Sequence, residues 1–292
     1  MRVLADIVSA IEQATGQAFE LAEQRQSSGG CINQGMILAD RVGRRFFVKL
    51  NDSRSEAMFA AEAEGLEELD AAAAIRVPRP ITHGIAGNRA FLVLEWLPLG
   101  GDGDGAELGR RLADLHRSTW SCFGWRRDNT IGSTPQSNPA TTDWFEFYGK
   151  HRLGHQLRLA ESNGAPIRLI SSGERLIAEL VSFFPGYRPV PSLLHGDLWG
   201  GNYGFAGGEP VLFDPAVYYG DREADLAMTE LFGGFPADFQ AAYQDAWPLD
   251  PGYAERKTLY NLYHVLNHFN MFGGGYAGQA QNMVDLLLSH AR

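Results

Sequence analysis

Long apolar runs are missing from this chain. No segment approaches the ~18 residues that cross a bilayer, and the richest stretch, Phe91 to Leu94, is the size of a strand. Cysteine is nearly absent as well. Cys31 and Cys122 alone cannot staple 292 residues, which excludes a disulfide scaffold. Basic charge is in deficit, with 25 Lys and Arg against 35 Asp and Glu and a net charge of −10. A chain this acidic is a poor non-specific binder of nucleic acid or anionic membrane, so neither is expected as a partner. The opening residues, MRVLADIVSAIEQA, carry Asp6 and Glu12 within an amphipathic pattern. They lack the uninterrupted apolar segment and small-residue cleavage site of a signal peptide. The expectation is a cytoplasmic protein. No internal repeat is present, and low complexity is confined to Ala71–Ala74 and Gly100–Gly105.

The remaining composition is that of an ordinary globular chain: 45% hydrophobic, 11% aromatic and 21% charged. Disorder is thereby excluded as the main state. At 292 residues the chain exceeds the size at which one core usually splits, and two lobes are expected. The pattern predicts a helix over 1–16, then strands around 18–25, 36–42 and 45–50, the first two joined by the glycine-rich SSGGCINQG. A helix follows over 55–72, then strands at 81–85 and 90–96. The run GGDGDG has no apolar face and unrestricted backbone, marking a hinge at 98–105. Beyond it the chain turns helical: 106–118 with Leu108, Leu112 and Leu115 on one stripe, then 142–161 and 173–184. An irregular stretch at 191–210 and a strand at 211–213 precede helices around 222–232, 236–246, 253–272 and 279–291. The expected fold class is α+β: a small β-rich lobe, 1–97, and a larger helical lobe, 106–292.

The chemistry concentrates in His195-Gly196-Asp197-Leu198-Trp199-Gly200-Gly201-Asn202, followed by Leu212-Phe213-Asp214-Pro215. Asp197 and Asn202 lie five apart in a glycine-broken loop, and Asp214 ends a short apolar strand twelve residues later. Phosphoryl transfer needs these types: a carboxylate to take the proton of the attacking hydroxyl, and an amide oxygen and second carboxylate as hard ligands for Mg²⁺. Turn-capping by Asx residues is the alternative use of such a loop. The order H-x-D-x-x-x-x-N plus a strand-end Asp is that of a kinase catalytic loop. An independent check lies upstream. In Arg45-Phe46-Phe47-Val48-Lys49-Leu50, strand alternation sets Phe47 and Lys49 on one face. On the next helix Glu62 falls on the apolar stripe of Phe59, Leu66 and Leu69, where a charge is costly unless paired. Lys49 is its natural partner; otherwise both would have to snorkel separately to solvent.

These motifs resemble the fructosamine-3-kinase, or ketosamine kinase, family, which is related to aminoglycoside and choline phosphotransferases. The resemblance runs from about 17 to 290 through Gly30-Cys31-Ile32, Phe47-Val48-Lys49-Leu50-Asn51, Val77-Pro78-Arg79-Pro80, Asp114-Leu115-His116, the Asp197 loop, Asp214-Pro215-Ala216 and Phe232-Gly233-Gly234-Phe235-Pro236. It implies a bilobal protein-kinase-like fold. It also implies ATP-dependent phosphorylation of a sugar hydroxyl in a glycated amine, small or protein-bound; phosphorylation at the sugar's 3-position makes the adduct labile and frees the amine. By the same resemblance Asp197 is the base, Asn202 and Asp214 bind Mg²⁺, Lys49 reaches the ATP phosphates and Glu62 holds Lys49. Gly29, Gly30 and Cys31 line the phosphate loop, and Glu95 and Leu97 offer backbone groups to adenine. Trp199, Asp143, Trp144, Arg152 and His268 are acceptor-site candidates, as are His264 and Asn267. Against that reading, 142–161 and 257–272 are equally amphipathic helices with their aromatics in the core. Cys31 suggests either a monomer or a redox-linked homodimer through that thiol. The competing functions are a kinase for another small hydroxyl compound, such as an aminoglycoside, and a nucleotide-binding module without turnover. A protein-serine kinase is disfavoured, because no activation loop ending in A-P-E follows Asp214.

Overall fold

The computed structural model describes residues 2–27 and 32–290. Two compact units divide the chain. One is built from the chain up to Asp104 together with Gly204–Pro215, the other from Gly105–Tyr203 with the chain from Ala216 onward. No helix of the described residues is long and apolar enough to cross a membrane.

The first unit is a five-stranded antiparallel sheet against which two helices pack. The strands are β1 (Leu21–Ser27), β2 (Gln34–Asp40), β3 (Arg45–Asp52), β4 (Pro80–Ala86) and β5 (Arg89–Glu95), in the order β1-β2-β3-β5-β4. Helix α1 (Arg2–Thr15) places Ile7 and Ile11 against Leu38, Val48 and Val93, all fully buried in one cluster. Helix α2 (Glu56–Ala71) buries the predicted stripe, with Phe59, Leu66 and Leu69 at 0% exposure. β3 pairs with β5 so that Lys49 lies opposite Leu92. The segment 204–215 joins this unit through bridges of Arg76 to Val211 and Leu99 to Ala206. It contributes most of the hairpin of β9 (Tyr203–Ala206) and β10 (Glu209–Leu212).

The second unit is mainly helical. Its first helix, α3 (Gly105–His116), buries Leu108, Leu112 and Leu115 as the pattern predicts. It packs on α8 (Phe239–Ala246) so closely that a Cβ on Gly109 would lie 2.3 Å from the Phe239 carbonyl oxygen. The expected 142–161 helix begins at α4 (Trp144–Phe147), widens into a π-helical turn at Tyr148–Leu153, and continues as α5 (Gly154–Ser162). The next helix differs from expectation. α6 spans Ile167–Ala178, starting earlier than 173 because Pro166 opens it with φ −56°, and the residues to 184 turn into a short 3₁₀ segment. Helices α7 (Glu223–Leu231), α9 (Tyr253–Phe272) and α10 (Tyr276–His290) complete the unit. Sequence reasoning missed the short pairs β6 (Asn129–Ile131) with β7 (Thr134–Gln136), and β8 (Ser192–Leu194) with β11 (Tyr218–Gly220). Three-residue strands carry too few positions for alternation to register.

Candidate active site

In the first unit, the strand lysine and helix glutamate meet. Alternation in β3 turns Lys49 off the face of Val48 and Leu50, and the α2 stripe presents Glu62 to it. Lys49 Nζ donates to Glu62 Oε1 and, at 2.5 Å, to Asp214 Oδ1. The side chains of Lys49 and Glu62 are 7% and 10% exposed. Burial alone would drive the Lys49 pKa down. The charges of Asp214 and Glu62 and their hydrogen bonds outweigh it, and the ammonium titrates above the ordinary lysine range. Asp214 sits at φ 58°. That left-handed conformation costs a non-glycine residue roughly 1–2 kcal/mol, and short polar Asp tolerates it better than most. Stored backbone strain of this kind is typical of functional positions. Gly29, Gly30 and Cys31, expected to line the phosphate loop, lie outside the described residues. Glu95 ends β5 with its N–H given to the Arg79 carbonyl at 2.8 Å and its carboxylate on Arg76 at 3.0 Å. The Leu97 carbonyl accepts the Leu99 N–H at 2.8 Å.

In the second unit, the loop that follows β8 is built around one buried carboxylate that sequence reasoning passed over. Asp225, 2% exposed, accepts the backbone N–H of His195 on Oδ2 at 2.7 Å and that of Gly196 on Oδ1 at 2.8 Å. Its Oδ2 also meets His116 Nε2 at 3.3 Å, while His116 Nδ1 lies 2.8 Å from the Tyr243 hydroxyl. Burial would raise the Asp225 pKa. The His116 hydrogen bond, the two histidines and the backbone N–H groups prevail and hold it below the usual carboxylate range. Gly196 is obligatory here: its φ is 83°, and a Cβ would lie 2.1 Å from the Ala216 carbonyl oxygen. Asn202 is buried and turns its amide nitrogen back to Asp197, donating to the main-chain oxygen at 2.9 Å and approaching Oδ2 at 3.4 Å. Trp199 remains 41% exposed and folds its ring over Gly201, where a Cβ would meet it at 2.3 Å. A weak signal for Asp225 was available, since it is a charge that follows Asp221-Arg222-Glu223 into the apolar run Leu226-Ala227-Met228.

The remaining acceptor candidates divide. Asp143 is the N-cap of α4, its carboxylate accepting the N–H groups of Phe145 and Glu146 at 2.8 and 3.1 Å. Trp144 is buried, and its indole N–H donates to the Tyr260 hydroxyl at 3.1 Å. Arg152 is fully buried, bonded to the Ser137 carbonyl and to Asn138, with its guanidinium over Phe147 and Tyr218 at 4.5 and 4.1 Å. These side chains build the core and the helix start, so the acceptor reading is corrected for Trp144 and Arg152: neither can touch a ligand where it stands. Asn267 is likewise buried, paired to Gln156 at 3.2 Å. His264 is buried and neutral; burial and neighbouring His268 push its pKa down to about 3. His268 stands differently, partly exposed and ringed by Phe232, Phe272 and Tyr276 at centroid distances of 5.0, 5.6 and 5.2 Å. Its Nδ1 lies 2.8 Å from the His264 carbonyl, which can only accept. The neutral ring therefore keeps its lone pair on Nε2. A Cβ on Gly200 would lie 2.8 Å from the Gly233 carbonyl, so the Asp197 loop abuts the 232–235 turn that carries Phe232. Cys122 is a free, half-buried thiol.

A strand lysine paired to a helix glutamate, with an H-x-D-x-x-x-x-N loop ending in a buried amide, defines the class as a protein-kinase-like phosphotransferase fold. The fold comparison agrees: an ADP-bound aminoglycoside phosphotransferase aligns over 97% of this chain and 99% of its own with a TM-score of 0.63 at 11% identity. The chain belongs to the fructosamine kinase family, whose model matches residues 3–290. A probable ketoamine kinase of Synechocystis is 51% identical over 286 residues, covering 95% of this chain and 94% of its own. A chloroplastic protein-ribulosamine 3-kinase of Arabidopsis thaliana is 42% identical, covering 92% and 84%. The crystal structure of a candidate fructosamine-3-kinase from Haemophilus somnus superimposes with a TM-score of 0.88 at 29% identity, covering 97% and 96%.

Proposed function

We propose that this chain transfers the γ-phosphoryl group of ATP to a sugar hydroxyl of ketosamines, the adducts of reducing sugars with lysine or protein amines, and so initiates deglycation. The observation that carries this reading is full-length kinship with ketoamine and ribulosamine kinases, in a chain that retains Lys49, Glu62, Asp197, Asn202 and Asp214.

Each residue has a task that its surroundings suit. Asp197 takes the proton of the attacking hydroxyl, and the Asp225 clamp on His195 and Gly196 fixes its loop before substrate arrives. Lys49, held protonated, places a fixed positive charge for the ATP phosphates, and Glu62 keeps it aimed. The donor set suits Mg²⁺: with its nitrogen turned to Asp197, Asn202 has an amide oxygen to offer, and Asp214 a carboxylate. One or two protein oxygens plus substrate phosphates are the usual complement for this hard cation. When bound, the metal neutralises charge developing on the transferred group. Adenine reads the Glu95 carbonyl and the Leu97 N–H. Exposed Trp199 and the Nε2 of His268 serve the sugar, by stacking and by accepting a hydrogen bond from a hydroxyl.

The test is ADP release from Mg-ATP with ribuloselysine, fructoselysine and an aminoglycoside in parallel. Turnover on a ketoamine alone is expected. Turnover on the aminoglycoside alone would overturn the substrate class. Asp197→Asn should remove most turnover while leaving nucleotide affinity nearly intact; near-normal turnover would remove Asp197 from the role.

A further inference from the structure

The chain carries its positive charge almost without lysine. Of 25 Lys and Arg residues, 22 are arginines, and the lysines are Lys49, Lys150 and Lys257. Lysine is ordinarily among the commonest residues. The choice matters chemically, because an amine forms Schiff bases with sugar carbonyls. A guanidinium, always protonated, does not start that reaction.

Two of the three amines are withheld from it. Lys49 is buried between Glu62 and Asp214 and stays protonated. Lys257 is tied to Glu230, its ammonium donating a hydrogen bond to Oε2 at 2.6 Å. Lys150 is exposed on the π-helical turn, and among the described residues it forms no ion pair or hydrogen bond through its amine. It stands at the rim of a cavity of about 430 Å³ between α4–α5 and α6, within the ~300–1,000 Å³ range of small-molecule sites. Glu146, Glu161, Glu174 and Arg158 line that cavity over an apolar floor of Leu157 and Ile170. They are hydrogen-bonding partners for sugar hydroxyls.

We infer that Lys150 is this chain's own glycation site, and that the ketosamine formed there is a substrate for a second copy of the enzyme. The second half rests on the proposed ketosamine activity. In the first half, the amine nitrogen of Lys150 attacks C1 of an open-chain aldose and water leaves to give the imine. A proton then leaves C2 as one arrives at the imine nitrogen, and the enol so formed loses its hydroxyl proton as another arrives at C1, leaving the carbonyl at C2. The product is an isomer of the imine, and no oxidant is consumed. No residue of the Asp197 loop lines the cavity, so the adduct must be presented to another molecule.

The experiment is incubation with ribose, removal of free sugar, and peptide mass mapping of all three lysines. Lys150 should carry several-fold more ketosamine than Lys257, and Lys49 none. Fresh enzyme with Mg-ATP should then strip the adduct, and Asp197→Asn enzyme should not. Lys150→Arg should lose the main adduct and keep full turnover on free ribuloselysine. Equal or greater modification at Lys257 or Lys49 overturns the site. An adduct that persists beside enzyme active on free ribuloselysine overturns the repair. Inactivity on ribuloselysine itself overturns the functional reading and with it the repair, while the mapping still decides the site.

Discussion

Replacing Glu62 by Gln isolates the charge that holds Lys49. Gln keeps the length and one oxygen acceptor, so packing against Phe59, Leu66 and Leu69 is undisturbed. Lys49 retains Asp214 at 2.5 Å, whose side chain is 43% exposed and whose charge is the other one that holds the ammonium protonated. At an effective dielectric near 20, a contact ion pair is worth roughly 4–5 kcal/mol of gross Coulomb energy. Glu62 no longer has to be desolvated as an ion, which returns part of that sum, leaving a net loss of about 2 kcal/mol. If the transition state feels all of it, kcat/KM falls roughly 30-fold. Glu62→Ala adds a cavity and leaves a poorly compensated buried charge, raising the cost to about 3–5 kcal/mol and lowering Tm as well. The assay is steady-state turnover with varied Mg-ATP, beside thermal melts of both variants. A Glu62→Gln enzyme within twofold of the parent would refute the reasoning. So would a Gln variant that melts as early as the Ala variant, since the loss would then be one of packing.

Other consequences follow from the same geometry. Gly196→Ala forces a Cβ to within 2.1 Å of the Ala216 carbonyl at φ 83°, so the loop must move. A displacement of ~1 Å at a reacting group costs on the order of 100-fold in rate, and kinetics on the folded fraction will show whether it does. Arg152→Met should lower stability by about 2–4 kcal/mol, through lost buried hydrogen bonds and ring contacts, and leave the acceptor KM unchanged; a raised KM at unchanged Tm would restore Arg152 to the acceptor site. His264 titrates near 6.5 ordinarily and about 3 when folded. The unfolded chain thus binds an extra proton between those values, and its contribution to stability is present above pH 6.5 and lost as pH falls toward 3. At ~1.4 kcal/mol per pH unit the loss is at most ~4–5 kcal/mol. His264→Gln should flatten acid unfolding across that window, which denaturation at pH 4 and 7 would reveal.

The sequence by itself singled out the residues proposed for the chemistry and most of the elements that carry them. Lys49 and Glu62 were legible because a strand alternates and a helix repeats at 3.6, so a charge on an apolar stripe demanded a partner across space. Asp197, Asn202 and Asp214 were legible because spacing within one loop and one strand end is local information. What only the tertiary structure decided was which polar side chains are spoken for. Asp143, Trp144 and Arg152 look from the sequence like a polar-aromatic acceptor lining. Folding spends them on a helix cap, a tyrosine hydroxyl and a backbone carbonyl. His264 and His268 lie four apart on one helix, yet one is sealed in the core and the other is partly exposed among aromatic rings. Asp225 is thirty residues from the backbone groups it clamps. No local pattern joins such positions, because burial and long-range hydrogen bonds are set by where the chain returns in space.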